Sequence, residues 1–247
     1  MKLVPLEIGR LESDARFMTG ADGVIDLPVP SWLIDHPDGL VLFDTGLHAE
    51  LQHDTSRLGR SAAVFNPLFE PGEELAARLD SVGVRTSDIT HMVFSHLHFD
   101  HAGGTVEIPD ARIVVQRAEW EAAHRERLIE AGVYNPDDFD HGHDVEEIDG
   151  AHDLFGDGRI TCIPTPGHTV GHQALRLELD SGPAVLTGDC VYFESWLDEM
   201  TVPTFGFDTD MQLESMAELK RLRDDEGCRL LYGHDDAQFK ALPATLS

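Results

Sequence analysis

The part of the sequence with the clearest chemical meaning is a run of six residues that contains three histidines and one aspartate. The run reads His96, Leu97, His98, Phe99, Asp100 and His101. Imidazole and carboxylate groups are the ligand types that suit zinc, and also iron or manganese, in an open hydrolytic site. Such a density of these groups has little use as ordinary structure, so the run predicts a metal site.

Three later segments each carry a candidate ligand just past an apolar run. A Pro/Gly turn at 165–172 holds His168, the apolar run 183–186 leads to Asp189, and a third apolar run ends at His234. Side chains in loops at strand ends can converge on one centre. Together with the six-residue run, the candidate ligands are too many for one tetrahedral zinc, but they suit two ions that share a carboxylate.

The elements that must position these ligands are strands alternating with helices. Asp38 and Gly39 form a two-residue hairpin signal between apolar runs at 32–35 and 40–44. Apolar spacing predicts helices over 73–82, 119–131 and 211–225, a short buried strand over 113–116, and a half-buried strand over 174–179. The six-residue run follows an apolar stretch, so we expect a buried strand, a ligand-bearing loop and then a helix start. Strands flanked by helices imply layered packing.

Composition narrows the function classes. The net charge is −28 with only three lysines, so the chain is a poor partner for nucleic acid or an anionic membrane, and a neutral substrate is expected. The 247 residues, 41% of them hydrophobic, carry no linker or repeat, and we expect one domain over residues 1–247. The N-terminus lacks the features of a signal peptide, and three scattered cysteines argue against a disulfide framework, so a cytoplasmic location is expected.

The order of the motifs carries a family resemblance. The patterns HxHxDH (96–101), PGHTxGH (166–172), GD (188–189) and GHD (233–235) resemble the metallo-β-lactamase superfamily, and within it the N-acyl-homoserine lactone lactonases, the quorum-quenching group. Segments 28–34, 43–46 and 114–119, together with Tyr192, support the narrower resemblance, although related esterases and phosphotriesterases share much of this pattern. The resemblance implies an α/β fold, the αβ/βα sandwich, with two mixed β-sheets flanked by helices.

The resemblance also implies a role for each candidate ligand. It assigns the first of two divalent ions to His96, His98 and His168, the second to Asp100, His101 and His234, and the bridge between them to Asp189. Zinc is the expected metal, and iron, manganese or cobalt stay open because imidazole and carboxylate ligands do not distinguish them. In the implied reaction, a hydroxide bridging the two ions attacks the lactone carbonyl. Tyr192 stabilises the developing oxyanion, and Asp100 carries a proton to the leaving alkoxide.

Further residues receive lesser roles by the same resemblance. Phe99 and Phe65, together with Tyr192, are expected to bind substrate, and Trp120 is a further candidate for the acyl-chain wall. His172 and Asp44 are expected behind the metal ligands, where they would orient them. Segments 47–71 and 134–150 fall outside the predicted elements and are interpreted as covering the substrate.

The protein is predicted to be a dinuclear metal-dependent hydrolase of carboxylic esters (EC 3.1.1 type) that opens a small neutral lactone. N-acyl-homoserine lactones are the first candidates for this substrate. One alternative is a hydrolase of another small lactone, an ester or a phosphotriester that uses the same metals. A second alternative is a metal-binding protein without turnover. Relatives by resemblance include monomers and dimers, so a homodimer stays open.

Overall fold

The structure is a computed structural model that describes residues 1–20 and 22–247. Two β-sheets face each other across an apolar layer, and helices cover the outer face of each sheet. The first sheet comes from the N-terminal part of the chain and the second from the C-terminal part, and metal-ligand candidates follow strands of both.

The first sheet is built from the strands β1 (Lys2–Asp14), β2 (Val24–His36), β3 (Gly39–Phe43), β4 (Phe65–Leu68), β5 (Ile89–Val93), β6 (Arg112–Gln116) and β7 (Val145–Ile148). Their order across the sheet is β4-β1-β2-β3-β5-β6-β7. The pairs from β4 to β3 are antiparallel, whereas β3, β5, β6 and β7 are parallel neighbours. The sheet is therefore mixed, and β3 and β5 end at the same edge.

The second sheet is built from β8 (His152–Asp153), β9 (Ile160–Pro164), β10 (Gln173–Leu179), β11 (Gly182–Leu186) and β12 (Arg229–Leu231), in the order β12-β11-β10-β9-β8. Strands β9 and β11 both run antiparallel to β10, and β12 runs parallel to β11. Strands β9, β11 and β12 therefore point the same way, and the loops that follow them leave from one edge of the sheet.

The helices are α1 (Ala15–Thr19), α2 (Leu75–Ser81), α3 (Phe99–Ala102), α4 (Arg117–Ala123), α5 (Glu126–Glu130), α6 (Glu194–Glu199), α7 (Thr209–Glu226) and α8 (Asp236–Ala241). Short 3-10 helices occupy 49–52, 55–63, 86–88, 103–107, 136–138 and 188–190. In the part of the chain that the structure describes, none of the helices combines the length and apolar character that crossing a membrane requires.

Three apolar clusters hold the layers together. Between the sheets, Trp32 and Val93 pack with Leu175 from the opposite side. On the outer face of the first sheet α2 buries Leu79, and on the outer face of the second sheet α7 buries Leu219. Burial of apolar surface on both faces of each sheet is the main source of stability in such a layered fold. The predicted αβ/βα sandwich is confirmed.

Most local predictions are confirmed, and one is wrong. The hairpin at 38–39, the helices α2 and α7, and the strands β6 and β10 all form within a few residues of their predicted bounds. The predicted helix over 119–131 is instead two helices, α4 and α5, separated at His124 and Arg125. The ring Nδ1 of His124 lies 2.8 Å from the Trp120 carbonyl oxygen, the acceptor that a continuing helix would give to a backbone N–H. A side chain competing for that carbonyl is a physical reason for the break.

Candidate metal centre

The candidate ligands lie in the loops and short helices that follow four strands. The loop after β5 carries His96 and His98, and α3, which follows directly, adds Asp100 and His101. The segments after β9, β11 and β12 carry the remaining three: His168, Asp189 and His234. The predicted order of strand, loop and helix is confirmed, but the helix begins at Phe99, inside the six-residue run, and not after it. The two sheets meet at this edge, and all seven ligand candidates come together there.

Asp189 lies between two groups of ligand atoms. Its Oδ2 is 3.4 Å from His168 Nε2 and 4.0 Å from His96 Nε2. Its other oxygen, Oδ1, is 3.0 Å from His234 Nε2 and 3.2 Å from His101 Nε2. Each carboxylate oxygen thus faces a different group, which is the arrangement expected of a carboxylate that bridges two ions.

The two groups match the sets that the resemblance assigned to the two ions. The ligand atoms of His96, His98 and His168 all lie within 4.8 Å of one another. The same limit holds for the second set, Asp100, His101 and His234. One nitrogen of His98 lies 2.9 Å from His96 Nε2 and 3.1 Å from His168 Nε2, so three imidazole nitrogens face a common point.

Buried polar atoms at this centre test whether metal ions fit. His101 Nε2 and Asp189 Oδ1 are buried and make no hydrogen bond with the residues that the structure describes. Leaving buried polar groups without partners is costly, and native proteins rarely do so without a function for the group. A divalent ion would satisfy both atoms, and imidazole with carboxylate is a suitable donor set for zinc. The residues therefore fit two divalent ions.

Burial keeps the first group in the form that binds metals. It lowers the pKa of His98 to about 4, and it holds the pKa values of His96 and His168 well below their ordinary value. Neutral imidazole has a free lone pair for a metal ion. Burial opposes ionisation of Asp189, but His101 and His234 hold its pKa well below the usual range, so the bridging position carries a negative charge.

The second group is oriented from behind by hydrogen bonds. Asp44 Oδ2 lies 2.9 Å from His101 Nδ1, and its carboxylate also accepts from Ser95 N at 2.7 Å and Ser95 Oγ at 2.8 Å. His234 Nδ1 lies 2.8 Å from the Pro28 carbonyl oxygen. Each of these contacts holds the proton on Nδ1 and leaves Nε2 facing the centre. Asp44 thus lies where the sequence analysis expected it, behind a ligand.

Glu119 connects the two histidine loops, and the sequence analysis did not single it out. Its fully buried carboxylate accepts from Leu97 N at 3.1 Å and from Gly171 N at 3.1 Å, and Tyr134 donates its hydroxyl at 2.9 Å. Leu97 lies between two candidate ligands, and Gly171 follows the loop of His168. Glu119 ends the segment 114–119 that supports the family resemblance, but its connecting role was not visible there because its partners come from three other segments.

An apolar cavity of about 600 Å³ opens onto the centre. His98, Asp100, His168, Asp189 and His234 line it, and so does Tyr192. The walls are largely apolar and come from several segments: Phe17, Leu27, Phe65, Phe99, Val170 and Phe205. A deep apolar cavity with polar groups converging at one end is the usual form of a small-molecule site.

The predicted catalytic and substrate-binding residues all reach this cavity. Tyr192 donates its hydroxyl to Asp189 Oδ2 at 2.6 Å, and Asp100 Oδ2 lies 3.6 Å from His101 Nε2. Phe65 and Phe99 lie in the wall with ring centroids 5.8 Å apart. Their roles in catalysis and binding stay predictions, because proximity alone does not test them.

Other placements differ from the sequence analysis. Trp120 lies outside the cavity and packs against Phe139. Segment 47–71 reaches the cavity, as predicted. Segment 134–150 reaches it only through Tyr134, and residues from the range 125–133 line the cavity instead. Sequence reasoning missed Phe17 and Phe205, whose rings stack with centroids 4.6 Å apart. They are far apart in the chain, and no spacing pattern connects them.

Comparisons with known proteins agree with this geometry. The family model of the Metallo-beta-lactamase superfamily matches residues 24–234. The chain is 34% identical over 234 residues to the N-acyl homoserine lactonase AttM of Azorhizobium caulinodans, covering 91% of this chain and 88% of that protein. It is 33% identical to the N-acyl homoserine lactonase AiiA of Bacillus thuringiensis subsp. kurstaki, covering 88% of this chain and 85% of that one.

Solved structures give the same result. The chain superposes with a TM-score of 0.87 on the structure of an N-acyl homoserine lactone hydrolase, at 29% identity and covering 98% of this chain and 96% of that one. That structure has the product N-hexanoyl-L-homoserine bound at its catalytic metal centre. AidC, a dizinc quorum-quenching lactonase in complex with the same type of product, gives a TM-score of 0.71 at 19% identity over 95% of this chain and 87% of that one, which supports the fold alone.

Proposed function

Because the chain belongs to the metallo-β-lactamase superfamily, we propose that it opens the lactone ring of N-acyl homoserine lactones at a centre of two divalent ions. The observation that carries this proposal is the position of Asp189, with one carboxylate oxygen toward each group of histidines, at the floor of an apolar cavity. The named relatives and the product-bound hydrolase support the substrate class. The reaction is the hydrolysis of a carboxylic ester.

The chain supplies ligands for both ions. His96, His98 and His168 would hold one ion, Asp100, His101 and His234 the other, and Asp189 would join them. When bound, such a pair of ions supplies Lewis acidity and lowers the pKa of water so that it can attack at neutral pH. The remaining steps depend on side chains of this chain.

Tyr192 would stabilise charge on the carbonyl oxygen. Burial and the neighbouring Asp189 raise the pKa of its hydroxyl well above the ordinary value, so the group stays a hydrogen-bond donor. The hydroxyl lies on the cavity floor, 2.6 Å from Asp189 Oδ2. Rotation toward a bound lactone would let it donate to the oxyanion that forms as water attacks the ring carbonyl.

Asp100 would move the proton. Its side chain lines the cavity and is therefore accessible to substrate, whereas Asp44 lies behind the ligands. Burial raises the pKa of Asp100, which favours acceptance of a proton. We propose that its carboxylate takes a proton from the attacking water and returns it to the ring oxygen as the ester bond breaks. The product is the open-chain hydroxy acid.

The apolar walls would bind the acyl chain. The four rings of Phe205, Phe17, Phe65 and Phe99 contact one another in this order and form a continuous part of the wall. Burying an acyl chain against these rings contributes about 0.8 kcal/mol per methylene group. Longer chains should therefore bind more tightly until the cavity is filled.

The test is a substrate panel with protein of measured metal content. The panel contains homoserine lactones with short to long acyl chains, γ-butyrolactone, an aryl ester and paraoxon. We expect the homoserine lactones to be opened with the highest kcat/KM, and we expect chelation or Asp100→Asn to remove the activity. Preference for the ester or for paraoxon would keep the metal centre and replace the substrate class. Inertness of metal-loaded protein toward the whole panel would favour the non-catalytic alternative.

Finer features of the protein are also proposals. We propose zinc as the metal, which imidazole and carboxylate donors suit, and metal analysis of purified protein would distinguish it from iron, manganese and cobalt. We propose a cytoplasmic location because all three cysteines are unpaired, as in a reducing compartment. We propose one domain because metal ligands follow strands of both sheets. Sedimentation velocity would distinguish a monomer from a homodimer.

A further inference from the structure

Three arginines without carboxylate partners line the outer part of the cavity. They are Arg60 from the 3-10 segment at 55–63, Arg125 just before α5, and Arg127 within α5. All three side chains are exposed, and within residues 1–20 and 22–247 no ion pair or side-chain hydrogen bond involves them. Their charges are therefore free to meet a ligand.

This arrangement stands out in so acidic a chain. The protein has 46 acidic residues and 18 basic ones, so a carboxylate is available almost anywhere on its surface. Among the described residues, the other eleven arginines apart from Arg229 all make an ion pair with a carboxylate. The unpaired arginines thus concentrate at one cavity.

The three arginines come from two chain segments that meet beside the cavity. The segment of Arg60 meets the turn after α5, since Arg60 Cβ lies 3.5 Å from where a Cβ on Gly132 would be. Among the residues that the structure describes, Asp100 and Asp189 are the only carboxylates that line the cavity, and both lie at the metal-binding floor. The cavity therefore has an anionic floor that suits cations, an apolar middle and a cationic rim.

We propose that the substrate carries an anionic group, such as a carboxylate, at the far end of its apolar acyl arm. This inference rests on the proposed function, because it assumes that the lactone ring lies at the floor. The arm would then follow the apolar walls and place its end among the three guanidinium groups. Guanidinium groups bind carboxylate oxygens through charge-assisted, often paired, hydrogen bonds. The net charge of the chain predicts a neutral substrate, but net charge averages over the whole surface and does not describe this rim.

The experiment compares three ligands of equal length. They are N-octanoyl homoserine lactone, its analogue with a terminal carboxylate in place of the methyl group, and the matching analogue with a terminal carboxamide. At low ionic strength we expect the carboxylate analogue to have a KM roughly fivefold below that of the carboxamide. The difference should shrink as salt is added, because exposed charges are screened.

Variants locate the effect. In the triple variant Arg60→Gln, Arg125→Gln, Arg127→Gln, the KM difference between carboxylate and carboxamide should disappear. The control Arg229→Gln removes another exposed arginine that has no ion pair among the described residues and lies outside the cavity, and it should keep the difference. Thermal unfolding of each variant would verify that the fold is intact.

A binding measurement separates this inference from the proposed function. The lactam analogues of the three ligands cannot be opened as esters, and calorimetry gives their Kd without turnover. Tighter binding of the carboxylate lactam, lost in the triple variant, supports the inference even if no lactone is hydrolysed. Equal binding of carboxylate and carboxamide in the wild type, or a preference that survives in the triple variant, overturns it. In that case the proposed hydrolysis of neutral homoserine lactones would remain, without a preference for an anionic acyl arm.

Discussion

Replacing Asp44 with asparagine tests whether the residue behind the metal centre orients His101. Asp44 has a positive φ of 59°, a left-handed conformation that asparagine tolerates better than most residues, so the backbone should stay in place. The two side chains also have nearly the same volume. The substitution therefore changes mainly charge and hydrogen bonding, at a residue only 3% exposed.

The expected magnitude follows from the contacts of the carboxylate. Asparagine can still accept from Ser95 N with one oxygen, as Asp44 Oδ1 does at 2.7 Å. Its NH₂ group would then face His101 Nδ1, which now lies 2.9 Å from Asp44 Oδ2. Two donors cannot pair, so His101 must rotate or move its proton to Nε2, the atom that faces the centre. Loss of such a supporting contact weakens metal binding about 10- to 100-fold, or roughly 1.4 to 2.8 kcal/mol.

The assay is competitive titration of metal-free protein with zinc in the presence of a chromophoric chelator. We expect the site of Asp100, His101 and His234 to weaken and the site of His96, His98 and His168 to change less. Asp153→Asn is the control, because Asp153 lies at the end of β8, accepts the backbone N–H groups of Gly156 and Gly158, and is neither a ligand candidate nor part of the cavity wall. If Asp44→Asn bound both ions as the wild type does, the proposed orientation of His101 would be refuted.

Three shorter predictions concern catalysis, pH and packing. Tyr192→Phe removes the proposed oxyanion donor and should lower kcat about a hundredfold while the metal content stays constant, measured by steady-state kinetics on protein of assayed metal. Burial raises the pKa of Asp138 to about 6, above about 4 in an unfolded chain, so the folded protein binds more protons between these values. The wild type should therefore lose up to roughly 3 kcal/mol of unfolding free energy as the pH rises from 4 to 7. The variant Asp138→Asn lacks this carboxyl and should lose less, which urea titrations of both proteins at pH 4 and pH 7 would measure. Gly171→Ala would place a Cβ 2.2 Å from Glu119 N, so the variant should have a lower melting temperature than the wild type. An unchanged melting temperature would contradict this close packing.

Local patterns predicted much of the fold because they depend on short stretches of chain. The hairpin at 38–39 and the amphipathic helix α7 are visible in the spacing of turn and apolar residues. The helix over 119–131 was predicted wrongly, because periodicity does not register that a side chain such as His124 takes a backbone acceptor. That break matters for function, since it places Arg125 and Arg127 at the cavity opening.

The sequence by itself determined which residues can bind metals and in what order the elements occur. The ligand candidates lie in short motifs directly after strands. Because loops that follow neighbouring strands leave from the same edge of a sheet, the motifs alone predicted a common centre. This is also why the position of Asp189 between two groups agrees with an expectation drawn from motif order.

Only the tertiary structure decided what surrounds that centre. The contacts of Glu119, the stacking of Phe17 on Phe205 and the cationic rim join segments that are far apart in the chain. Side-chain convergence of this kind has no periodicity for a sequence pattern to record. Charge is the clearest case, because a total of −28 is a sum over all residues, whereas a ligand meets only the few that packing brings to one opening.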